Sequence, residues 1–413
     1  MIRKTCPNCG ADTCTVFYSV AKVPTNSCLL VSTKEEALRF PTGDIELSFC
    51  SRCGFIFNAA WEASRTTYSD QYEETQGFSP TFNAFHRQLA DELVQRHNIV
   101  GKDVLEIGCG KGEFLALLCN AGKNRGVGYD PSFVPDRLSG LDGNVRVVRE
   151  FFSEDTDAPP SDFVCSKMTL EHIGETARFA RAVRRIASTE RGTILFLQIP
   201  DVRRILEEMA FWDIYYEHCS YFSPTSLEYL LRNTAFEVLR TWTGYDQQYL
   251  MTEARPIDGA PSIVPAPADE LSLLASQVNG FAVAAEFAKE AWTADLRGAR
   301  SAGRRTVLWG SGSKAVAFLT TMGLRNEIEF VVDINPYRHD KFIPGTGQRI
   351  VSPAFLADYR PDRVIAMNPI YREEIARDLA SINCPAEIIG ANQISSVLPI
   401  FREAQAAHRS GRV

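Results

Sequence analysis

Two short knuckles constrain this chain more than any other feature: Cys6-Pro-Asn-Cys9-Gly near the start and Cys50-Ser-Arg-Cys53-Gly further on. Each sets two thiols at the spacing of a tight turn, and the following glycine lets that turn close. Two such turns together offer four sulfur ligands, the set that holds a tetrahedral structural zinc. A single Cys-x-x-Cys could equally be a redox pair. A metal module is therefore expected over residues 1–65. The segment between the knuckles has a short apolar run, a Pro-Thr-Gly turn and a strand-like Ile-Glu-Leu-Ser-Phe. It is too small to bury a core of its own, so metal would supply the missing stability. With four thiolates bound, no position would stay open for catalytic water. Cys14 and Cys28 fall outside the spacing and read as structural thiols.

Composition limits the rest. A length of 413 residues predicts two or three domains. The basic start Met-Ile-Arg-Lys is followed by no apolar stretch, so no secretory signal is expected. Nor does any run suggest a membrane span of ~18 apolar residues. The expected setting is the cytoplasm, where thiols bind metal rather than cross-link. A net charge of −7 argues against a nucleic-acid partner, whose binding needs a basic face.

After the knuckles comes a loop rich in Tyr and Gln, TTYSDQYEETQGFSP, and then Phe82, Phe85, Leu89 and Leu93 at helical spacing. From residue 104 apolar strands alternate with amphipathic segments, the pattern of a doubly wound parallel sheet, over an expected domain of residues 66–255. A Pro/Ala-rich stretch and a long helical pattern fill residues 256–300. A second strand–glycine loop–helix then opens an expected Rossmann-like unit at residues 301–413.

The first glycine loop is VLEIGCGKGEF, residues 104–114. Gly108 and Gly110 would let a ligand lie on bare backbone at a helix amino terminus. Glu106 precedes them, and Asp130 ends the next strand where it can accept from a ribose diol. A dinucleotide site would carry the same acid, so the loop alone leaves the cofactor open.

With acid placed before the first glycine, the loop resembles motif I of class I S-adenosylmethionine (SAM) methyltransferases. SDFVCSKMTLEHI, residues 161–173, resembles that fold's fourth-strand motif, and GTILFLQIPD, residues 192–201, its fifth strand. The whole chain is similar to the sugar C-methyltransferase family, which methylates nucleotide-linked 4-keto-deoxy sugars for antibiotic biosynthesis. FWDIYYEHCSYFSP, residues 211–224, carries that family's Glu-His pair, and LWGSGSKAVAFL and VVDINPYRHDKFIPGTGQRI match its carboxyl domain. The resemblance implies a SAM site at Glu106, Gly108, Gly110 and Asp130, and zinc on Cys6, Cys9, Cys50 and Cys53. It implies a base, His218, with Glu217 orienting it or handling a second proton, and with His172 and a loop tyrosine, Tyr72, as further catalytic groups. Tyr68, Tyr221, Lys314 and Asp333 would touch the sugar nucleotide, Lys314 facing its diphosphate. The carboxyl loop Gly310-x-Gly312-x-x-Ala315 has a loose dinucleotide fingerprint, yet the family needs no NAD there. A monomer acting on a small molecule, without membrane or nucleic acid, is expected.

The loop over the sugar departs from the family at Gln76, Gly77 and Phe78, which leaves a second outcome, methyl transfer to oxygen or nitrogen of a small molecule. A zinc-module RNA adaptor is a third reading, disfavoured by the acidic balance. His86, His97, His339 and His408 read as ordinary, and Phe82 and Phe85 as core.

Overall fold

A computed structural model describes residues 3–137, 144–259, 261 and 264–393. His408 lies outside the described residues. The described strands gather into three sheets.

The first is antiparallel: Cys14–Pro24 pairs with Thr42–Cys50, and Thr42–Cys50 with Ile56–Asn58. Its last strand comes from far along the chain. Ile56 and Phe57 pair with Tyr221 and Ser220, so the Ser220–Tyr221 strand closes an edge whose residues are buried. That strand directly follows the Glu217-His218 pair, which ties the geometry of the pair to the knuckle module.

The second sheet has the order Phe236–Gly244, Tyr249–Pro256, Ile194–Pro200, Phe163–Lys167, Asp103–Ile107, Arg125–Tyr129, Val145–Val148. The last five in that order run parallel, and the Phe236–Gly244/Tyr249–Pro256 hairpin adds antiparallel to one side. This is the class I methyltransferase fold that the glycine-loop resemblance implies. Strands such as Phe163–Lys167 are buried along their whole length because helices cover both faces. Helix Glu113–Gly122 presses so close to the sheet that a Cβ on Gly126 would lie 2.6 Å from Cys119 Sγ. Helix Pro80–His97 starts at an N-cap serine, Ser79, whose hydroxyl accepts from Phe82 N–H, and it buries Phe82, Leu89 and Leu93.

The third sheet is parallel, in the order Arg349–Val351, Phe330–Val332, Thr306–Trp309, Arg363–Ala366, Glu387–Gly390. Helix Ala268–Ser301 joins it to the first sheet. Phe281 meets Tyr18 edge-on at 5.2 Å, and Trp292 meets Phe318 at 5.4 Å. By length and composition this helix could cross a membrane, which the sequence reading did not foresee. Its Leu274, Val278, Phe281, Trp292 and Leu296 are instead buried in the core shared by the two sheets.

Candidate active site

The site begins where Asp103–Ile107 gives way to the glycine loop. Gly108 has φ +72°, a left-handed conformation that favours glycine, and a Cβ there would run into the Thr169 side chain. Gly110 N–H donates to Asp130 Oδ2 at 2.8 Å, and Ser132 N–H and Oγ–H donate to Asp130 Oδ1, both at 2.7 Å. Asp130 thus splints the loop from the tip of the neighbouring strand. Glu106 is 2% exposed, its Oε2 has no hydrogen-bond partner, and burial pushes its carboxyl up to about 8. Bare backbone, a strand-end acid and an orphaned buried oxygen are what a ligand with hydroxyl and ammonium donors would complete. The residues fit SAM, and Glu106, Gly108, Gly110 and Asp130 would hold it.

Lys111 anchors the tyrosine loop to this one. Its amine, 3% exposed as a residue, donates to the carbonyls of Tyr72 at 2.8 Å and Ser132 at 2.9 Å, with Glu74 Oε2 at 3.5 Å. On either side of Glu74 the loop is held again. Glu73 takes both guanidinium branches of Arg137 and the amide of Asn335, and Thr75 Oγ–H donates to Glu113 at 2.7 Å. Tyr68 and Tyr72 are therefore carried on a fixed segment.

Beyond Thr169, whose hydroxyl reaches the Gly108 carbonyl at 3.4 Å, the chain turns through Leu170–His172 and delivers His172 beside His218. The two imidazoles stand perpendicular, with ring centres 4.7 Å apart. Tyr68 Oη lies 2.8 Å from His172 Nδ1, and Tyr215 Oη lies 3.0 Å from His218 Nε2. A turn closed by His218 N–H to the Tyr215 carbonyl sets Tyr215 and His218 on one side. Burial pushes His172 down to about 4, and burial with the neighbouring His172 and Lys314 holds His218 well below its usual value. Both rings are uncharged at neutral pH, while burial pushes Tyr68, Tyr72 and Tyr215 well above the usual phenol range.

The structure gives several of the selected residues definite partners. The Glu217 carboxylate makes no hydrogen bond to His218. Adjacent residues in this turn point apart, and the carboxylate accepts from Asn26 Nδ2 at 3.2 Å, from Ser27 N–H at 3.0 Å and from Ser27 Oγ–H. Lys314 does not stand free for a diphosphate: it pairs with Asp213 at 3.2 Å and donates to Gln248 Oε1 at 3.1 Å. Tyr221 gives its hydroxyl to the Tyr215 carbonyl at 3.4 Å and so supports the site from behind. His86 is buried, with Nε2 2.8 Å from Lys167 Nζ. Asp333 sits at its strand end, where Ser311 and Asn335 donate to it.

The departures in the tyrosine loop also find their places. Gln76 accepts from Tyr371 Oη at 2.6 Å and reaches Tyr249 Oη at 3.4 Å, binding the loop to the third sheet's side of the molecule. Phe78 and Tyr337 flank the Arg137 guanidinium at 5.9 and 3.7 Å from their ring centres.

The sequence reading missed Tyr215, Lys111 and Glu171. Glu171 adjoins His172, which it did select, and Tyr215 lies in the aromatic stretch that carries Glu217 and His218. Lys111 gave none, since a lysine inside a glycine loop is ordinarily solvated.

The knuckles form a second centre. Cys6, Cys9, Cys50 and Cys53 converge, with Cys6 and Cys53 sulfurs 3.7 Å apart and those of Cys9 and Cys50 3.6 Å apart. Sulfurs about 2.3 Å from a central tetrahedral metal would be about 3.8 Å from one another. A disulfide needs about 2.05 Å. The four cysteines fit one divalent ion.

Comparison with known proteins places these features. Residues 82–241 match the methyltransferase domain model, and residues 269–386 match the C-methyltransferase C-terminal domain model. C-methyltransferase NovU of Streptomyces niveus is 24% identical over 388 residues, 90% of each chain. The chain is a SAM-dependent methyltransferase. The enzyme's carboxyl-terminal match and its full-length relative both support methyl transfer to carbon. Among solved structures, magnesium protoporphyrin IX methyltransferase of Synechocystis PCC 6803 aligns at 16% identity and TM-score 0.35, over 43% of the enzyme and 84% of that chain. 1,6-Didemethyltoxoflavin-N1-methyltransferase of Burkholderia thailandensis aligns at 16% identity and TM-score 0.34, over 42% and 79%.

Proposed function

We propose that the enzyme methylates carbon 3 of a nucleotide-linked 4-keto-deoxy sugar through an enolate. One observation carries this reading: the His172 and His218 imidazoles stand perpendicular with ring centres 4.7 Å apart, His172 meeting the Tyr68 hydroxyl and His218 the Tyr215 hydroxyl. Bound SAM would supply an electrophilic methyl on its sulfonium. A ketone at carbon 4 acidifies the hydrogen on carbon 3, and an uncharged imidazole can take that proton. His218 is the base. His172 and Tyr68 form a hydrogen-bonded pair whose phenol can donate to the enolate oxygen. Glu217 is a positioning residue, since its contacts with Asn26 and Ser27 fix the turn that presents His218. Cys6, Cys9, Cys50 and Cys53 would hold a structural zinc that keeps the Ser220–Tyr221 strand, and with it that turn, in place.

The test is an incubation with SAM and a panel of nucleotide-linked 4-keto-6-deoxy sugars, followed by mass spectrometry and NMR. A methyl on carbon, reduced ~10²–10⁴-fold in His218→Ala, supports the reading. An O- or N-methyl product would discard the enolate and retain the SAM site.

A further inference from the structure

His218 as found poses a problem of acid strength. Burial, the His172 ring and the Lys314 cation all disfavour its protonated form. An imidazole so placed is a weak base, whereas proton transfer is most efficient when the base's pKa lies near the working pH. An anion beside it would repair this, and Glu217, the obvious candidate, is turned toward Asn26 and Ser27.

The carboxyl that does face His218 is Glu171. It sits in the Leu170–His172 turn, is 1% exposed, and has no hydrogen-bond partner on either oxygen, although burial of an unpaired polar group is costly. Its Oε1 lies 4.0 Å from His218 Nε2, the nitrogen that also meets Tyr215. We propose that Glu171 is a positioning acid of this site, sharing one proton with His218 so that the pair, and not the imidazole alone, takes the proton from carbon. The inference rests on the enolate reading above, because methylation of a hydroxyl or amine ionises no carbon acid.

Of the two buried carboxyls near the imidazoles, Glu171 is the one that approaches His218. Tyr68, Tyr215, Tyr249 and the Cys219 thiol all feel its charge, and burial pushes each of them up, so they stay neutral near pH 7. His172 is neutral for the reason already given. Lys314 is paired with Asp213, and the Glu217 carboxyl, which burial also pushes up, is turned away toward Asn26 and Ser27. Burial pushes Glu171 itself up to about 8, so at neutral pH the pair holds one proton, mostly on the carboxyl. Loss of that proton yields the working form, a carboxylate beside a neutral imidazole. The carbon–hydrogen bond then breaks, its electron pair passes into the enolate, and the proton binds the His218 imidazole, giving an imidazolium stabilised by the Glu171 carboxylate. The proton returns to solvent from the pair once the carbon has been methylated.

Two readouts test the idea on Glu171→Gln and Glu171→Asp, with retained SAM binding as the control for folding. The first needs no sugar: ¹⁵N-histidine NMR of the full-length enzyme, titrated from about pH 5 to 9.5. In the wild type the His218 nitrogens should shift across about pH 8 as the shared proton leaves. In Glu171→Gln that transition should vanish, and in Glu171→Asp it should persist at a displaced pH. The second is hydrogen–deuterium exchange at sugar carbon 3 with S-adenosylhomocysteine bound. Exchange should rise about tenfold per pH unit below the transition in the wild type. In Glu171→Gln it should be flat and slower by about 10–100-fold. Identical His218 titrations in wild type and Glu171→Gln would overturn the proposal. A titration that differs as expected, with no carbon-3 exchange on any sugar, would leave the proton pair standing and refute the enolate reading instead.

Discussion

Replacing Lys111 with methionine keeps the stem of the side chain and deletes only the amine. In the wild type that amine donates to two carbonyls, those of Tyr72 and Ser132, and faces Glu74. Hydrogen bonds from a charged donor contribute about 1.5–3 kcal/mol each, part of which is offset because the variant no longer buries an ammonium. Two orphaned carbonyls and one uncompensated carboxyl leave a net loss of about 2–4 kcal/mol. Glu74's side chain is 31% exposed, so its share of that loss is discounted for solvent screening. The assay is urea unfolding with and without SAM, paired with calorimetric SAM binding. Stability should fall by that amount, and SAM should bind more weakly because the tyrosine loop loses its tie to the glycine loop. Glu74→Gln in the Lys111→Met background should recover about 0.5–1 kcal/mol, the coupling expected of a partly exposed pair. A Lys111→Met protein within about 0.5 kcal/mol of wild type, with unchanged SAM affinity, would refute this account of the loop.

Two further outcomes follow from the same geometry. Purified enzyme should carry one zinc per chain by elemental analysis, and Cys53→Ser should lose it. Amide exchange should then accelerate at Ile56–Asn58 and its partner Ser220–Tyr221, together with a loss of activity; metal-free protein with both strands still protected would count against a structural role. Glu106 is raised from 4.5 to about 8, so the folded state binds more protons than the unfolded one between those values. Wild-type stability should therefore fall relative to Glu106→Gln by about 1.4 kcal/mol per pH unit as pH rises from 4.5 to 8, with the gap constant above; parallel urea midpoints across that range would show Glu106 ionising normally.

Legibility varied with how local the cause was. The glycine loop, the helix after it and the acid on the next strand were readable because strand-turn-helix chemistry is written in neighbouring residues. The cysteine cluster was readable for the same reason twice over, since each knuckle is a self-contained turn. The partners of Glu217 could not be read locally, because spacing places it beside His218 while its carboxylate meets Asn26 and Ser27 far back in the chain. Lys314 was assigned to a ligand because a lysine after a glycine loop suggests one; its partner Asp213 lies far away in the chain and could not be foreseen.

By itself the sequence determined the class of fold, the glycine loop and the cluster of four cysteines, because each depends on residues within one turn or on the alternation of strands and helices. Only the tertiary structure decided that Ser220–Tyr221 completes the first sheet, that Glu171 and not Glu217 faces His218, and that Lys111 binds the tyrosine loop. Those choices depend on which distant groups burial brings together and which of them find a partner. No local pattern encodes that.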